Sequence, residues 1–238
     1  MYAPTSAGHA AQEAARAVAQ ETIDEKLVAR AEEWLIKEAG NRREAIRLSE
    51  GFAVTAQTAG LLALHQQLRQ QREYPCLGTF ISALWNCRCR EKIIVYPHDT
   101  TNLHWLGTYL SSHKVLIMQG TAGQYMGLGA AGPIITPESA RSRTGNNAKG
   151  TIIIADTAGH FTEWHGIRLS ITTTTQDIGE HFDGKLVGQG TYKRNATLKA
   201  YVDRLLVLAK DDPLTIEQEF GDGIAITAEI KRLVGGEK

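Results

Sequence analysis

Histidine and aspartate occur close together at two places in the chain. His98 is followed by Asp99, and Asp156 is followed four residues later by His160. Imidazole and carboxylate groups are the usual ligands of a catalytic divalent metal and the usual partners in general acid–base chemistry. We therefore predict Asp156, His160, His98 and Asp99 as catalytic residues, with Asp156 and His160 as ligands of Mg²⁺ or Zn²⁺.

Basic residues are concentrated in the middle of the chain, although the 26 basic and 26 acidic residues cancel in the total. Residues 61–150 contain nine basic and four acidic residues, whereas both flanking regions are net negative. Clusters of this kind suit contacts with phosphate groups. The predicted nucleic-acid-binding residues are Arg88, Arg90, Lys92, Arg141, Arg143 and Lys149.

Several familiar motifs are present only in part. Residues 127–132 fit G-x-G-x-x-G, but no strand leads directly into them and Pro133 follows, so a glycine turn is the better interpretation. Residues 156–159 have the D-x-x-G form of a switch element in GTP-binding proteins, but the chain contains no phosphate loop of the form G-x-x-x-x-G-K-[ST]. Cys76, Cys87 and Cys89 lack the C-x-x-C spacing of structural zinc sites.

A further nuclease pattern lies near the C-terminus. Asp222 followed by Glu229 and Lys231 has the letters of an acid and a D/E-x-K element, in which two carboxylates hold a metal. Residues 224–230 alternate between apolar and other side chains, so we expect a strand from Ile224 to about Val234. A strand with one face in solvent explains the same residues equally well.

The pattern of apolar residues predicts an α+β protein. Residues 1–75 form the predicted helical region, in which apolar residues recur at helical spacing from Ile23 to Leu35. Residues 76–238 form the predicted strand-rich region, packed with the first as one globular unit. Its predicted strands are short β-branched runs that begin at Ile93, Lys114, Ile134, Thr151 and Ile167. Short turns between the later strands favour a mainly antiparallel sheet, whereas Thr101–Ser111 has the leucine spacing of a helix joining two parallel strands.

The location of the protein is constrained by its cysteines and its apolar runs. Three cysteines are an odd number and do not form the framework of a small secreted protein, so we expect a cytoplasmic protein. Its apolar runs are all too short for a membrane-spanning helix, so we expect no membrane partner.

Two functions remain open from the sequence, which does not decide whether the protein is an enzyme. The first is handling of nucleic acid or polyphosphate, with metal-dependent phosphodiester hydrolysis as the reaction if there is one. The second is an assembly or structural protein, such as a virion or tail-type homo-oligomer, without catalytic activity.

Overall fold

The structure is a computed structural model, and it describes most of the chain. The described residues are 23–97, 102–121, 123–137, 144–154, 167–170, 185–187 and 189–235.

The N-terminal part is helical, as predicted, and its described helices continue to Cys87. Helix α1 begins after Asp24, whose carboxylate accepts the Lys26 amide, and it buries an apolar stripe that includes Trp34. The five described α-helices of this N-terminal part are α1 (Glu25–Lys37), α2 (Arg42–Leu48), α3 (Ala56–Leu61), α4 (Gln66–Arg69) and α5 (Leu77–Cys87). These helices form one layer of the molecule.

Six short strands follow within the described residues, and all of them are parallel. They are β1 (Ile93–Tyr96), β2 (Val115–Met118), β3 (Ile134–Thr136), β4 (Thr151–Ile154), β5 (Ile167–Ser170) and β6 (Lys185–Val187). Each strand pairs with the next one along the chain, so the order in the sheet is the order in the sequence. The prediction of a mainly antiparallel sheet is therefore wrong.

The connections between strands explain this topology. Twelve residues separate Ile154 from Ile167, and 18 separate Tyr96 from Val115. Parallel pairing needs a connection of about a dozen residues or more, and these segments meet that requirement. Parallel pairing means that each connection returns the chain to the same end of the sheet. The described parts of the connections before β2, β3 and β4, with their strands, form the coils of a stack.

The connections before β2, β3 and β4 share one backbone conformation. In each connection, alternate residues along a short segment have left-handed φ values between +52° and +72°. The equivalent sets are Trp105 and Tyr125; Gly107, Gly127 and Gly145; and Tyr109, Gly129 and Asn147. The shared conformation shows that these connections are structural repeats of one another.

Main-chain hydrogen bonds join the repeats to each other. The Gly127 amide donates to the Leu106 carbonyl at 2.8 Å, and the equivalent Gly145 amide donates to the Met126 carbonyl at 2.6 Å. The Gly129 amide likewise donates to the Asn146 carbonyl. The stack is therefore held by its backbone as well as by buried side chains.

The predicted helix over Thr101–Ser111 is wrong in the described residues 102–111. Leu103, Leu106 and Leu110 are buried, as their spacing suggested, but the segment consists of turns. Left-handed φ values at Trp105, Gly107 and Tyr109 interrupt any helix.

The sheet lies between two helical layers. Alternate side chains such as Ile94 and Leu116 join the core of the N-terminal helices, and Val115 and Ile117 join the opposite core. The opposite layer consists of α6 (Gln189–Arg194), α7 (Ala196–Asp211), α8 (Thr215–Phe220) and α9 (Gly223–Gly235). Leu106 and Met126 belong to the first core, so the connections lie on the side of the N-terminal helices.

The predicted strand over Ile224–Val234 is also wrong, because this segment is helix α9. The apolar residues of this segment fit both the period of a strand and the period of a helix. Ile226, Ile230 and Leu233 are buried at helical spacing, while Ile224 is 45% exposed. Packing of this helical face against the sheet decides between the two periods.

Candidate functional site

The predicted catalytic and metal-binding residues lie outside the part of the chain that the structure describes. This applies to His98, Asp99, Asp156 and His160. Within the described residues, no group of three or more His, Cys, Asp or Glu side chains is placed to hold a metal ion. Chemistry at the four residues therefore stays a prediction.

Arg88 is one of four predicted phosphate-binding residues within the described chain, and it faces the protein. It follows the last residue of α5 and is half-buried. Its guanidinium donates to the Ile46 carbonyl at 3.3 Å and to the Ser49 hydroxyl at 3.4 Å. These contacts join α5 to the end of α2, so Arg88 has a structural role in this arrangement.

Lys92 is held at the boundary between the sheet and the C-terminal helices. Its ammonium group lies 2.8 Å from a carboxylate oxygen of Glu217, which raises the pKa of Lys92. Both side chains are more than 40% exposed, so solvent screens the pair and its contribution to stability is small.

Arg90 and Lys149 are the two described members of the basic set whose side chains have no described partner. Both are exposed, and neither side chain forms a hydrogen bond or ion pair with another described residue. Arg141 and Arg143 lie outside the described residues. Of the four described basic residues, Arg88 and Lys92 therefore have side-chain partners within the described chain, and Arg90 and Lys149 have none there.

The cysteines do not form a site in the described structure. Cys89 is buried, and burial raises the pKa of its thiol to about 12, so it stays protonated at neutral pH. Cys87 is exposed. The buried Lys114 ammonium donates to the Cys89 carbonyl at 2.9 Å and to the Glu91 carbonyl at 2.8 Å, which fixes the segment after α5.

The D/E-x-K pattern does not form a metal site. Asp222 caps helix α9 by accepting the Ile224 and Ala225 amides, and its other oxygen lies 2.9 Å from Nδ1 of His113. Its pKa is lowered, first by the hydrogen bond from His113. Glu229 pairs with Arg232 on the surface of the helix. The carboxylates of Asp222 and Glu229 therefore have other partners.

The aromatic residues of the coil stack are the structural feature that sequence analysis missed. The rings of Trp105 and Tyr125 stack with centroids 5.2 Å apart and planes 15° apart. The Trp105 amide donates to the Gln124 carbonyl, and the Gln124 amide donates to Nδ1 of His104. Because one face of each ring is covered by the other, the pair joins neighbouring coils.

Tyr109 joins the coil stack to the N-terminal helices. The guanidinium of Arg42 lies 4.5 Å from the centre of the Tyr109 ring. The ring also contacts Gly129, where an added Cβ would lie 2.6 Å from two ring carbons. Bulky residues rarely adopt a left-handed φ, so the backbone of Tyr109 carries about 1 kcal/mol of strain in this position.

A sequence signal for the repeats exists, although it is weak. Trp105 and Tyr125 each stand two residues before a glycine that turns the chain, and Thr-Ala-Gly occurs at both 121–123 and 157–159. The strands begin at intervals of 22, 19, 17, 16 and 18 residues, from 93 to 115, 134, 151, 167 and 185. The unequal intervals hide the repeat from a search for a fixed period.

An open groove of about 370 Å³ lies beside α1. Its walls carry charges of both signs, and Arg30 and Glu33 within it are paired at 2.9 Å. The lining residues are Lys26, Ala29, Arg30, Glu33, Glu50 and Phe52. The groove includes none of the predicted site residues.

The described helices include none that is long and apolar enough to cross a membrane. No family model, curated protein or solved structure matches this chain.

Proposed function

We propose that the protein is a non-catalytic assembly or structural component. The observation that supports this proposal is the stack itself: the described coils before β2, β3 and β4 are joined by main-chain hydrogen bonds at equivalent positions, and the sheet lies between two layers of helices. In such a stack each coil contacts only its neighbours, so the arrangement extends in one direction and suits contacts between subunits at its ends.

The polar and aromatic residues of the described chain support the same proposal. Arg88 joins two helices, Lys114 anchors the segment before the sheet, and Trp105 joins two coils. His113 and Lys92 contact the carboxylates of the C-terminal helical layer. Groups that often carry chemistry are thus used to connect layers of the protein.

The mass of the protein in solution tests the proposal. Sedimentation velocity of the full chain from 1 to 100 µM is expected to show a discrete oligomer whose population rises with concentration. A monomer over the whole range, in low and moderate salt, would overturn the proposal.

Nucleic-acid binding is a second candidate, and the exposure of Arg90 and Lys149 favours it. Neither side chain is neutralised by a described acidic residue. Arg143 occupies the sequence position two residues before Gly145, as Trp105 precedes Gly107 and Tyr125 precedes Gly127. Phosphate contacts by these residues would give sequence-independent binding.

Charge reversal separates this candidate from the first. Labelled single- and double-stranded DNA and RNA are titrated across a salt series, with R90E/K149E and R141E/R143E as variants and K210E as the control for an equally exposed lysine. Weaker binding and a smaller salt dependence in the two double variants would support it. Unchanged affinity and salt dependence would remove the candidate.

The hydrolase prediction is tested in the same preparation. Cleavage of the labelled strands is measured with and without Mg²⁺, for the original chain and for D156N and H160Q. Magnesium-dependent cleavage that both variants lose would support a catalytic role for these residues. Cleavage that survives both substitutions would assign it to other residues or to a contaminant.

A further inference from the structure

Arg42 is an exposed cation whose guanidinium is held over an aromatic ring. It is the first residue of α2, and the guanidinium lies 4.5 Å from the centre of the Tyr109 ring. The cation–π interaction restrains the guanidinium, while the N–H donors at its edge keep the planar geometry that matches an oxyanion. A guanidinium held in this way is prepared for bidentate contact with a phosphate or a carboxylate.

The acidic residues nearest to Arg42 in the sequence have other partners. Both carboxylate oxygens of Glu44 accept from Nε of Arg47 at 2.9 Å, and Glu38 accepts from the side-chain amide of Asn41 at 3.0 Å. Arg42 has no ion-pair partner among the residues that the structure describes. Its interaction with Tyr109 therefore fixes its place without neutralising its charge.

The position of Tyr109 is strained and exposed at the same time. Its φ is +52°, its amide donates to the Leu128 carbonyl at 2.7 Å, and its ring contacts Gly129. Tyr109 is nevertheless 44% exposed. A ring that only joined two layers would stabilise the fold more if it were buried, whereas strained backbone that its surroundings maintain is found at ligand clamps.

A predicted phosphate-binding residue lies on the same part of the coil stack. The Lys149 amide donates at 2.8 Å to the carbonyl of Ala130, which follows Gly129 in the coil that the Tyr109 ring contacts. The Lys149 side chain is exposed. Cations on neighbouring coils suit the repeated charges of a phosphodiester strand, whereas a single carboxylate of a protein partner would engage only one of them.

We propose that Arg42 binds a backbone phosphate of a nucleic acid and that Tyr109 is its positioning residue. This inference rests on the second candidate function, nucleic-acid binding, and adds a contact that sequence analysis did not select. Phosphate contacts carry no information on the bases, so binding at Arg42 is independent of nucleotide sequence.

Titration of labelled single-stranded RNA and double-stranded DNA across a salt series tests the proposal. R42Q is expected to weaken binding about tenfold and to lower the slope of log K against log salt by about 1. R42K keeps the charge but not the planar fork, so it is expected to weaken binding several-fold. The matched control is R43Q, because Arg43 is the adjacent exposed arginine, and a change of about twofold or less is expected for it. Equal losses for R42Q and R43Q would overturn the proposal.

The positioning role is tested by substitutions that remove no charge. Y109L is expected to weaken binding several-fold, whereas Y109F keeps the ring and is expected to bind as the original chain does. R42Q/Y109L is expected to bind no more weakly than R42Q, since the two residues act through one contact. Additive losses, or an unchanged affinity for Y109L, would overturn this role. Because Arg42 and Arg43 are exposed, their variants decide the phosphate contact even where thermal unfolding shows that Y109L is unstable.

The same titrations separate this contact from the function on which it rests. An original chain that binds no nucleic acid at low salt would overturn both. Binding that R90E/K149E weakens and R42Q leaves unchanged would keep the candidate function and overturn the contact at Arg42. Equal affinity for a labelled poly-glutamate chain would overturn the choice of phosphate over carboxylate.

Discussion

Gly132 is the position at which the coil geometry makes its sharpest prediction. It is the last glycine of the G-x-G-x-x-G string, and it lies between the second coil and the start of β3. A Cβ at this residue would lie less than 3.0 Å from the carbonyl oxygens of Ser111 and Lys114. Both obstacles are backbone atoms, so neither can move by changing a rotamer.

The Gly132→Ala substitution is therefore expected to lower the free energy of unfolding by about 3 kcal/mol, at the upper end of what overpacking in a core produces. For a chain of this length the corresponding loss of thermal midpoint is about 6–12 °C. Urea unfolding followed by circular dichroism measures the first quantity, and calorimetry measures the second.

Gly190→Ala is the matched control for this substitution. Gly190 lies in helix α6, and its nearest neighbour to an added Cβ is the end of the Arg194 side chain at 4.0 Å. Alanine favours a helix over glycine, so this variant is expected to gain about 0.5–1 kcal/mol. A loss of less than about 1 kcal/mol for Gly132→Ala would refute the close stacking of the coils at this point.

Three further predictions concern the contacts that join the layers. Burial raises the pKa of the Cys89 thiol to about 12, so between about pH 9 and pH 12 the thiol is deprotonated in the unfolded chain but not in the folded one. The free energy of unfolding is therefore expected to fall by up to about 1.4 kcal/mol per pH unit over this range. Urea unfolding at a series of pH values should show a smaller fall for Cys89→Ala than for the original chain, and the same fall for Cys87→Ala. Trp105→Ala removes the ring that stacks on Tyr125, so the free energy of unfolding should fall by about 2–4 kcal/mol. A fall of less than about 1 kcal/mol would mean that the pair does not join the coils. Lys114→Met leaves the carbonyls of Cys89 and Glu91 without their buried donor and should cost about 1–3 kcal/mol, whereas a neutral result in urea would show that water replaces the ammonium group.

The helical layer was the part of the fold most accessible from the sequence. The stripe from Ile23 to Leu35 is buried as its spacing predicted, because one helical face is enough to specify which residues turn inward. The strand runs beginning at Ile93 and Thr151 were also identified, since β-branched residues in short runs have few alternatives. In both cases the signal is local.

The contacts of the candidate site residues depend on partners that are distant in the sequence. Arg88, Arg90 and Lys92 have similar positions in the sequence, yet only Arg90 has no described partner, because Ile46 and Glu217 come from distant parts of the chain. Residue type and spacing do not reveal which cation will find such a partner.

By itself, the sequence determined the layer of N-terminal helices, the positions of several strands and the glycines that must turn the chain. Tertiary structure alone decided that the strands are parallel, that Ile224–Val234 is helical and that Trp105 meets Tyr125. The physical reason is that a short strand has the same composition in either orientation, and an apolar segment can satisfy two periods. Packing against neighbouring elements decides both the orientation of the strands and the helical form of the segment. Those neighbours are in place only once the coils have stacked.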